Sequence, residues 1–475
     1  MEMNDHALLQ RLEAVVGAAG IVTDLAELAF HSNDWRGLFP GKPLCVLRPS
    51  SVRDLASAVR ICAQARRPVI PQGGNTSMVA GATPDASGRQ VVISLGKLNR
   101  IRDIDPVNMT MTVEAGVVVQ AARQAAAEAG CLFPLSFSAE GSATVGGALS
   151  TNAGGNNTVR YGNARDLMLG LEVVLADGRV WNGLRALRKD NTGYALRHLF
   201  VGAEGTLGII TAAVMRLVQA PRHVEIVFLA VRDADAALAL FRRFRDSSED
   251  CIRAFEYMSG PGLELVLGHI HGACRPLSGR AEHYVLAELA TSAWENTLRH
   301  IIEDVVGHAL AAGEVLDAAV AESIAQQRAM WLLREGQAEA QKLAGANIKN
   351  DVSVPVSQVP ALIRETTTAV SRLVAGVRAV PFGHIGDGNI HINFVRPEIM
   401  SDEAFLAKTE EITSAVNGVV KRLGGSFSAE HGIGRLKVGT LEKWREETEM
   451  QLMLSIKQAL DPECLLNPGK ILGAP

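Results

Sequence analysis

The chain has 475 residues, of which 47% are hydrophobic and 21% are charged, and its formal net charge is −4. One hydrophobic core rarely serves a chain of this length, so we expect two or three globular domains. The slightly acidic balance argues against a protein that binds nucleic acid or an anionic membrane surface. No apolar run reaches the ~20 residues of a transmembrane helix.

The cysteines and the N-terminal sequence indicate a reducing compartment. Six cysteines are scattered along the chain without a CxxC pair, which is typical of reduced thiols and not of a disulfide framework. The N-terminus, MEMNDHALLQRLEAVVG, carries acidic residues and a helical period, unlike a secretory signal peptide. We therefore expect a cytoplasmic protein.

Helices and strands alternate in the first half of the chain. Ser51 is suited to cap a helix, Gly130 to end one, and Asp177-Gly178 to form the turn of a hairpin. Apolar periodicity predicts helices over 6–20, 51–66 and 117–130, strands over 91–95, 109–116 and 207–218, and a hairpin over 171–181.

The pattern changes after Pro221, which marks an expected domain boundary. A long stretch rich in alanine and glutamate after residue 290 reads as helical through residue 345. The other predicted elements are strands over 224–231 and 283–290, a strand–turn–strand unit over 377–395, and helices over 233–247, 402–422 and 448–460.

Two glycine-rich blocks stand out in the first half, 71-PQGGNTSMVAGATP-84 and 141-GSATVGGALSTNAGGNN-157. Glycine has no Cβ, so backbone N–H groups in such blocks can approach a pyrophosphate closely. Neither block has the G-x-G-x-x-G spacing between a strand and a helix, which argues against a nicotinamide-binding Rossmann domain. A different diphosphate cofactor is therefore expected.

A compact His/Glu cluster stands out in the second half. His384 and His391 flank the tight turn Gly386-Asp387-Gly388, and Glu430-His431 lies in a second glycine-flanked turn. Two imidazoles and a carboxylate offer three ligands for a metal, and the remaining histidine is a candidate base. A diphosphate cofactor beside a metal and a base indicates redox chemistry on a small substrate.

Six motifs follow one another along the chain: PQGGNTS, GSATVGGALSTNAGG, FVGAEGTLGIIT (200–211), FGHIGDGNIHIN (382–393), AEHGIG (429–434) and LNPGKIL (466–472). As an ordered set they resemble the motifs of the vanillyl-alcohol-oxidase-type FAD-linked oxidoreductase family. Within that family they resemble the branch of D-2-hydroxyglutarate dehydrogenase, D-lactate dehydrogenase and glycolate oxidase. The resemblance runs from about residue 40 to the C-terminus and favours the hydroxyglutarate side through DNTGYALRHLF (190–200) and WLLREGQ…IKNDVSVP (331–355).

The resemblance implies an α+β fold with a two-subdomain FAD-binding domain of the vanillyl-alcohol oxidase type. It also implies an α+β substrate (cap) domain on an antiparallel sheet and a C-terminal helical segment that closes the flavin site. We place an N-terminal helical segment at 1–40, the FAD domain at 41–221, the cap at 222–425 and the closing segment at 426–475.

The same resemblance assigns the flavin site. Asn75 occupies a loop where some relatives carry a flavin-linking histidine, so noncovalent FAD is expected. The residues implied to bind FAD are Gln72, Gly73, Gly74, Asn75, Thr76, Ser77, Gly141, Ser142, Gly146, Gly147, Thr151, Asn152, Gly154, Gly155, Tyr161, Gly205, Ile210 and Asn467.

The resemblance further implies that His384, His391 and Glu430 bind a divalent metal, Zn²⁺ or in its place Mn²⁺ or Co²⁺. His431 would be the catalytic base and would also contact the substrate. Arg334, Lys349 and Asn393 would hold the substrate. Such a set suits oxidation of a D-2-hydroxy acid: the base takes the hydroxyl proton, and the C2 hydrogen leaves as hydride to flavin N5.

Two cations beside a metal favour a dicarboxylate, so D-2-hydroxyglutarate is the expected substrate, with D-lactate, glycolate and D-malate as alternatives. Three positions depart from the pattern of the hydroxyglutarate enzymes: Ala338 replaces a threonine, Asn350 a histidine and Ala195 an aspartate. These departures bear on the choice of substrate more than on the chemistry.

Two other classes of function stay open. A non-catalytic flavoprotein subunit of a larger redox complex would be expected to have a degenerate metal cluster, and a metal-dependent hydrolase would leave the glycine blocks unexplained. The expected partners are a small 2-hydroxy acid and an electron acceptor such as an electron-transfer flavoprotein, without nucleic acid. The oligomeric state is left open, with a homodimer as one option.

Overall fold

The computed structural model describes residues 4–473 and divides into two compact units. The first consists of Met1–Gly154, Gly162–Ala220 and Glu430–Pro475, and the second of Gly155–Tyr161 and Pro221–Ala429. The chain therefore enters the second unit twice and returns to the first at Glu430. The predicted bounds of the four domains stay predictions.

The first unit contains two larger sheets and a small one. Strands Ile21–Val22, Cys45–Leu47, Val91–Ser94 and Val69–Gln72 form one sheet in that order, with parallel pairing among the last three. An antiparallel sheet has the order Ile101–Asp105, Thr110–Glu114, Ile209–Arg216, Met168–Val174, Val180–Gly183. Val218–Gln219 pairs with Cys131–Leu132.

Local sequence signals determine several helix ends in this unit. The Oγ of Ser51 accepts a hydrogen bond from the Asp54 N–H, which confirms the predicted N-cap. Gly130 follows the helix Val119–Glu128 with a φ of 74°, which confirms the predicted C-terminus. The helices are Asp5–Val16, Leu25–Ser32, Val52–Gln64, Val119–Glu128, Val145–Ser150, Ala164–Leu167, Arg197–Phe200, Val438–Trp444 and Glu447–Leu460.

The second unit is built on an antiparallel sheet. Its strand order is Val315–Val320, His223–Val231, His283–Thr291, Ile252–Ser259, Phe382–His384, Asn389–His391, Asp351–Ser353. A smaller sheet joins Asn347–Ile348, Phe394–Val395 and Arg378–Ala379.

Helices cover this sheet and bury its apolar side chains. One buried cluster joins Phe228 and Tyr284 of the sheet to Leu263 and Leu333 of two helices. The helices are Thr158–Tyr161, Ala234–Ser247, Gly260–His269, Leu298–Ala311, Ile324–Glu335, Gln337–Leu343, Val359–Leu373, Asp402–Leu406 and Thr409–Arg422. None of the helices within residues 4–473 is long and apolar enough to cross a bilayer.

One predicted element is wrong. The stretch that reads as continuous helix through residue 345 is interrupted by the strand Val315–Val320, which pairs with His223–Val231. Gly313, with a φ of 66°, follows the helix Leu298–Ala311, and the strand begins two residues later. Edge pairing in the sheet therefore overrides the helix propensity of the alanines in this segment.

Candidate active site

The two glycine blocks approach each other closely within the first unit. A Cβ on Gly74 would lie 2.0 Å from the carbonyl O of Ser142, and one on Gly73 would lie 2.4 Å from Oγ1 of Thr144. Real Cβ atoms do not come this close to other heavy atoms, so only glycine allows the two segments to pack in this way. The structure thus brings Gly73 and Gly74 of the first predicted flavin segment beside Ser142 of the second.

Several residues of the predicted flavin site have left-handed backbones. Asn75 has a φ of 53°, Asn152 of 50° and Asn467 of 45°. Asparagine tolerates this conformation better than most residues. Nδ2 of Asn75 donates to the Asn33 carbonyl at 3.0 Å, and Oδ1 of Asn152 accepts from the Arg165 N–H at 3.0 Å.

Asn467 presents an unused acceptor in the interior of the first unit. Its Nδ2 donates to the carbonyls of Gly81 at 2.8 Å and Glu204 at 2.7 Å. Its Oδ1 is buried and has no hydrogen-bond partner among the described residues. A buried orphan acceptor is costly unless a ligand or water donates to it. This atom and the glycine contacts fit the binding of an extended polar cofactor.

The other predicted flavin residues differ in their hydrogen bonds and in the unit to which they belong. The Gln72 amide is buried and donates to the carbonyls of His31 and Ala82, and the Ser77 hydroxyl accepts from the N–H groups of Val79 and Gly81. Gly155 and Tyr161 fall in the segment grouped with the second unit. The rest lie in the first unit: Thr76, Gly141, Gly146, Gly147, Thr151, Gly154, Gly205 and Ile210.

We expect Gly74→Ala to weaken FAD retention. The added methyl would meet the Ser142 carbonyl, so one of the two glycine blocks must move. Purified Gly74→Ala protein should contain less FAD per chain than wild type and unfold at a lower temperature. Gly439→Ala, in the same unit, is a matched control, because Gly439 has no left-handed backbone and a Cβ there meets no atom within 4 Å. Equal flavin content in the Gly74→Ala and wild-type proteins would contradict the close approach.

Within the first unit, the carboxylate of Glu204 binds the backbone of the segment that follows His431. Its buried carboxylate accepts the N–H of Ile433 at 2.7 Å and that of Gly434 at 2.8 Å. Burial raises the pKa of Glu204 to about 7, although the two N–H donors and Lys437 and Lys470 act in the opposite direction. These contacts hold the backbone that immediately follows the predicted base.

We expect Glu204→Gln to flatten the pH dependence of stability. The pKa is higher in the folded protein than in the unfolded chain, so the native state binds more protons between about pH 4.5 and 7. The free energy of unfolding therefore falls as the pH rises through this window, and glutamine cannot titrate there. Urea titrations from pH 5 to 8 should show a smaller slope for the variant. The exposed Glu447→Gln serves as control, and an unchanged Glu204→Gln slope would contradict the assignment.

In the second unit, one buried carboxylate joins two of the predicted site residues. Oε2 of Glu256 accepts from Nε of Arg334 at 2.6 Å, and Oε1 lies 2.7 Å from Nδ1 of His384. All three side chains are at least nine-tenths buried. Burial alone would raise the pKa of Glu256, but His384 and Arg334 outweigh that effect and bring it to about 2. The carboxylate is therefore ionised at neutral pH.

His384 and His391 come together through the short hairpin that the sequence predicts. Their strands, Phe382–His384 and Asn389–His391, are paired, and the centroids of the two rings are 6.1 Å apart. His391 also pairs with Asp351, whose Oδ1 lies 3.7 Å from its Nδ1. In the turn between the strands, burial raises the pKa of Asp387 to about 6.

The predicted substrate residues differ in their surroundings. The Arg334 guanidinium lies 4.9 Å from the centroid of the Phe382 ring, and Lys349 is half-buried. The Asn393 amide is used internally, because its Nδ2 donates to Gln341 at 2.9 Å and its Oδ1 accepts from the Asn350 N–H at 3.1 Å. The structure therefore places Asn393 in the network that supports the strands.

Glu430 and His431 begin the segment that returns to the first unit. They follow Ala429, the last residue of the second unit, whose N–H donates to the carbonyl of Asp351. The metal and base roles predicted for them stay predictions.

Three carboxylates in these surroundings had no role in the sequence interpretation: Glu204, Glu256 and Asp351. Glu204 and Asp351 lie inside the quoted motifs, but the sequence alone does not show that their side chains are buried. Glu256 lies in the stretch 223–320, where no motif was found. A single glutamate in the apolar strand Ile252–Ser259 is a signal in itself, because an ionised side chain is rarely buried without a partner.

Two family descriptions match most of the chain. Residues 43–183 match the family described as "FAD binding domain", and residues 220–471 match "FAD linked oxidases, C-terminal domain". The chain belongs to the FAD-linked oxidases. The resemblance drawn from the motifs is thereby confirmed, and so is the expectation of an FAD-dependent oxidoreductase.

Individual relatives cover this FAD-linked oxidase almost completely. It is 38% identical over 472 residues to D-2-hydroxyglutarate dehydrogenase of Xanthomonas citri pv. viticola, with 99% of this chain and 97% of the relative covered. It is 33% identical over 472 residues to that of Stutzerimonas stutzeri, with 99% and 100% covered. A crystal structure of p-cresol methylhydroxylase matches with a TM-score of 0.75 at 16% identity, covering 98% and 97% of the two chains. The predicted α+β fold of the vanillyl-alcohol oxidase type is confirmed.

Proposed function

We propose that this FAD-linked oxidase oxidises D-2-hydroxyglutarate to 2-oxoglutarate. The observation that carries the proposal is the buried Arg334, a guanidinium paired with Glu256 in a chain whose full-length relatives include D-2-hydroxyglutarate dehydrogenases. Among the described residues, Glu256 is the hydrogen-bond partner of Arg334, and it takes only Nε. The two terminal nitrogens can form a planar fork for a second carboxylate of the substrate.

The chain's own residues have distinct roles in this proposal. Arg334 and Lys349 bind the distal carboxylate, and Asn393 supports the strands around them. His431 accepts the proton of the C2 hydroxyl. FAD, held by the segments that contain Gly73, Gly74 and Ser142, would supply an acceptor at N5 for the C2 hydrogen as hydride. An electron-transfer flavoprotein is the acceptor that we propose for the reduced flavin.

We also propose that His384, His391 and Glu430 hold a divalent cation, Zn²⁺ or in its place Mn²⁺ or Co²⁺. Two imidazoles and one carboxylate suit these ions and leave coordination positions for a substrate. The hydrogen bond from Nδ1 of His384 to Glu256 fits this role, because metal-binding histidines usually donate their other ring nitrogen to a carboxylate. A bound cation would lower the pKa of the substrate hydroxyl.

The decisive experiment is an anaerobic screen of D- and L-2-hydroxy acids against the purified yellow protein. Bleaching of the flavin absorbance by D-2-hydroxyglutarate, faster than by the L-enantiomer or by D-lactate, supports the proposal. A protein that no 2-hydroxy acid reduces would overturn it and favour the non-catalytic subunit. Acid precipitation of the same sample tests the flavin linkage, because noncovalent FAD should appear in the supernatant.

Arg334→Lys should separate dicarboxylates from monocarboxylates. Lysine keeps a positive charge beside Glu256 but loses the planar fork, so a distal carboxylate loses charge-assisted hydrogen bonds worth about 1.5–3 kcal/mol. We expect kcat/KM for D-2-hydroxyglutarate to fall roughly 10- to 100-fold, while that for D-lactate changes little. D-Malate, the alternative dicarboxylate, is measured beside D-2-hydroxyglutarate, because Ala338 departs from the threonine pattern of the hydroxyglutarate enzymes and this departure bears on the choice of substrate. An equal loss for all three acids would contradict a dicarboxylate site.

A further inference from the structure

Glu256 contacts both the residue proposed to bind the distal carboxylate and a residue proposed to bind the metal. We infer that it is a positioning residue: it orients His384 so that Nε2 is available to the metal, and it orients Arg334 toward the substrate. The first half of the inference rests on the proposed metal site, and the second half rests on the proposed substrate. Its first half concerns metal binding, which can be measured without turnover.

The sheet explains why Glu256 and His384 meet. The strand Ile252–Ser259 pairs with Phe382–His384 in a register that sets Tyr257 opposite Gly383 and Met258 opposite Phe382. One step further along this register, Glu256 comes opposite His384. Side chains that are opposite each other in an antiparallel pair lie on the same face with Cβ atoms about 5 Å apart. The contact between them is therefore built into the strand pairing.

The carboxylate determines which nitrogen of His384 carries hydrogen. Oε2 of Glu256 binds the permanently charged guanidinium of Arg334, so the side chain is a carboxylate with acceptor oxygens only, and the Nδ1 atom 2.7 Å from Oε1 must be the donor. In a neutral imidazole the other nitrogen, Nε2, then has the lone pair that a metal requires. A neutral side chain of the same size at position 256 would not impose this choice.

The same carboxylate holds Arg334 in one orientation. Oε2 binds Nε at 2.6 Å, and the Phe382 ring lies 4.9 Å from the guanidinium carbon. With Nε engaged and a ring on one side, the plane of the guanidinium cannot rotate freely. Each oxygen of Glu256 thus serves one partner, so His384 and Arg334 are oriented by a single rigid group.

Glu256→Gln tests both halves of the inference. Glutamine has the size of glutamate but one acceptor oxygen, so its NH₂ group must face either Arg334 or His384. We expect the apparent Kd for zinc, measured by competition with a chromophoric chelator on the FAD-loaded protein, to rise on the order of 10- to 100-fold. At saturating zinc, KM for D-2-hydroxyglutarate should rise more than KM for D-lactate.

Glu288→Gln is the matched control. Glu288 is also buried, on the neighbouring strand His283–Thr291, and binds Arg253 and Nε1 of Trp331. The Glu288→Gln variant therefore loses a buried charge opposite an arginine, and the substitution does not touch His384. Zinc affinity and the KM values of this variant should match wild type. Equal losses in the two variants, or a wild-type zinc affinity in Glu256→Gln, would overturn the inference.

A measurement on the unsubstituted chain covers the case in which Glu256→Gln does not fold. Long-range ¹H–¹⁵N spectra of the zinc-loaded, ¹⁵N-histidine-labelled protein, assigned with His384→Asn, should show a protonated Nδ1 on His384. A protonated Nε2 with the metal on Nδ1 would overturn the inference. If wild type reduces no 2-hydroxy acid, the proposed function fails, and the zinc titration and the spectra still decide the role of Glu256 in metal binding.

Discussion

His431→Asn is expected to slow reduction of the flavin by D-2-hydroxyglutarate by roughly 10²- to 10⁴-fold, the usual contribution of a general base. Asparagine is close in size to histidine but cannot accept a proton at neutral pH. The backbone after residue 431 is held by Glu204 through Ile433 and Gly434, so the substitution should leave the local fold intact. Rapid mixing of the oxidised enzyme with substrate under anaerobic conditions gives the rate directly.

The pH profile distinguishes the loss of a catalytic base from the loss of a residue that only positions the substrate. The wild-type reduction rate should fall on the acid side, as in any reaction that needs an unprotonated base, and this acid limb should be absent in His431→Asn. His198→Asn is a suitable control, because His198 lies in the same unit as His431 and is not among the residues assigned to the flavin, the metal or the substrate. Fast reduction by His431→Asn with an unchanged acid limb would assign the base to another residue.

The sequence was informative where chemistry imposes a local pattern. The family resemblance assigned Gly73 and Gly74 to the flavin site, and the structure shows that these two glycines pack so closely against Ser142 and Thr144 that a Cβ would not fit. The turn at Gly386-Asp387-Gly388 predicted a hairpin that brings His384 and His391 together, and the structure contains it. In both cases the determining contacts lie within a few residues or within a recognisable motif.

The sequence was uninformative where the determining contact is distant along the chain. Glu256 meets His384 across 128 positions and Arg334 across 78, and no local pattern records either pairing. The strand Val315–Val320 was read as helix because its alanines favour helix, while its partner strand begins at His223. Strand pairing over such separations depends on the tertiary fold, which periodicity does not report.

Removal of the divalent metal is expected to abolish reduction of the flavin while the flavin itself remains bound. His384 and His391 lie in the second unit, whereas most residues predicted to bind FAD lie in the first, so a chelator should leave the flavin absorbance in place. Without a cation, the substrate hydroxyl keeps a pKa far above neutrality, and a histidine base cannot remove its proton efficiently. A loss of several kcal/mol in transition-state stabilisation corresponds to at least about 10³-fold in rate.

Reconstitution makes this result specific to the proposed ligands. Zinc, manganese or cobalt should restore flavin reduction to the chelated wild type, and elemental analysis should show one equivalent of metal per chain. The double variant His384→Asn/His391→Asn should be slow before chelation and unchanged by it, since the ligands are already gone. Full activity in wild-type protein shown to be metal-free would refute the metal site. Arg334, oriented by Glu256, would then bind the substrate without a cation, and His431 alone would have to remove the hydroxyl proton.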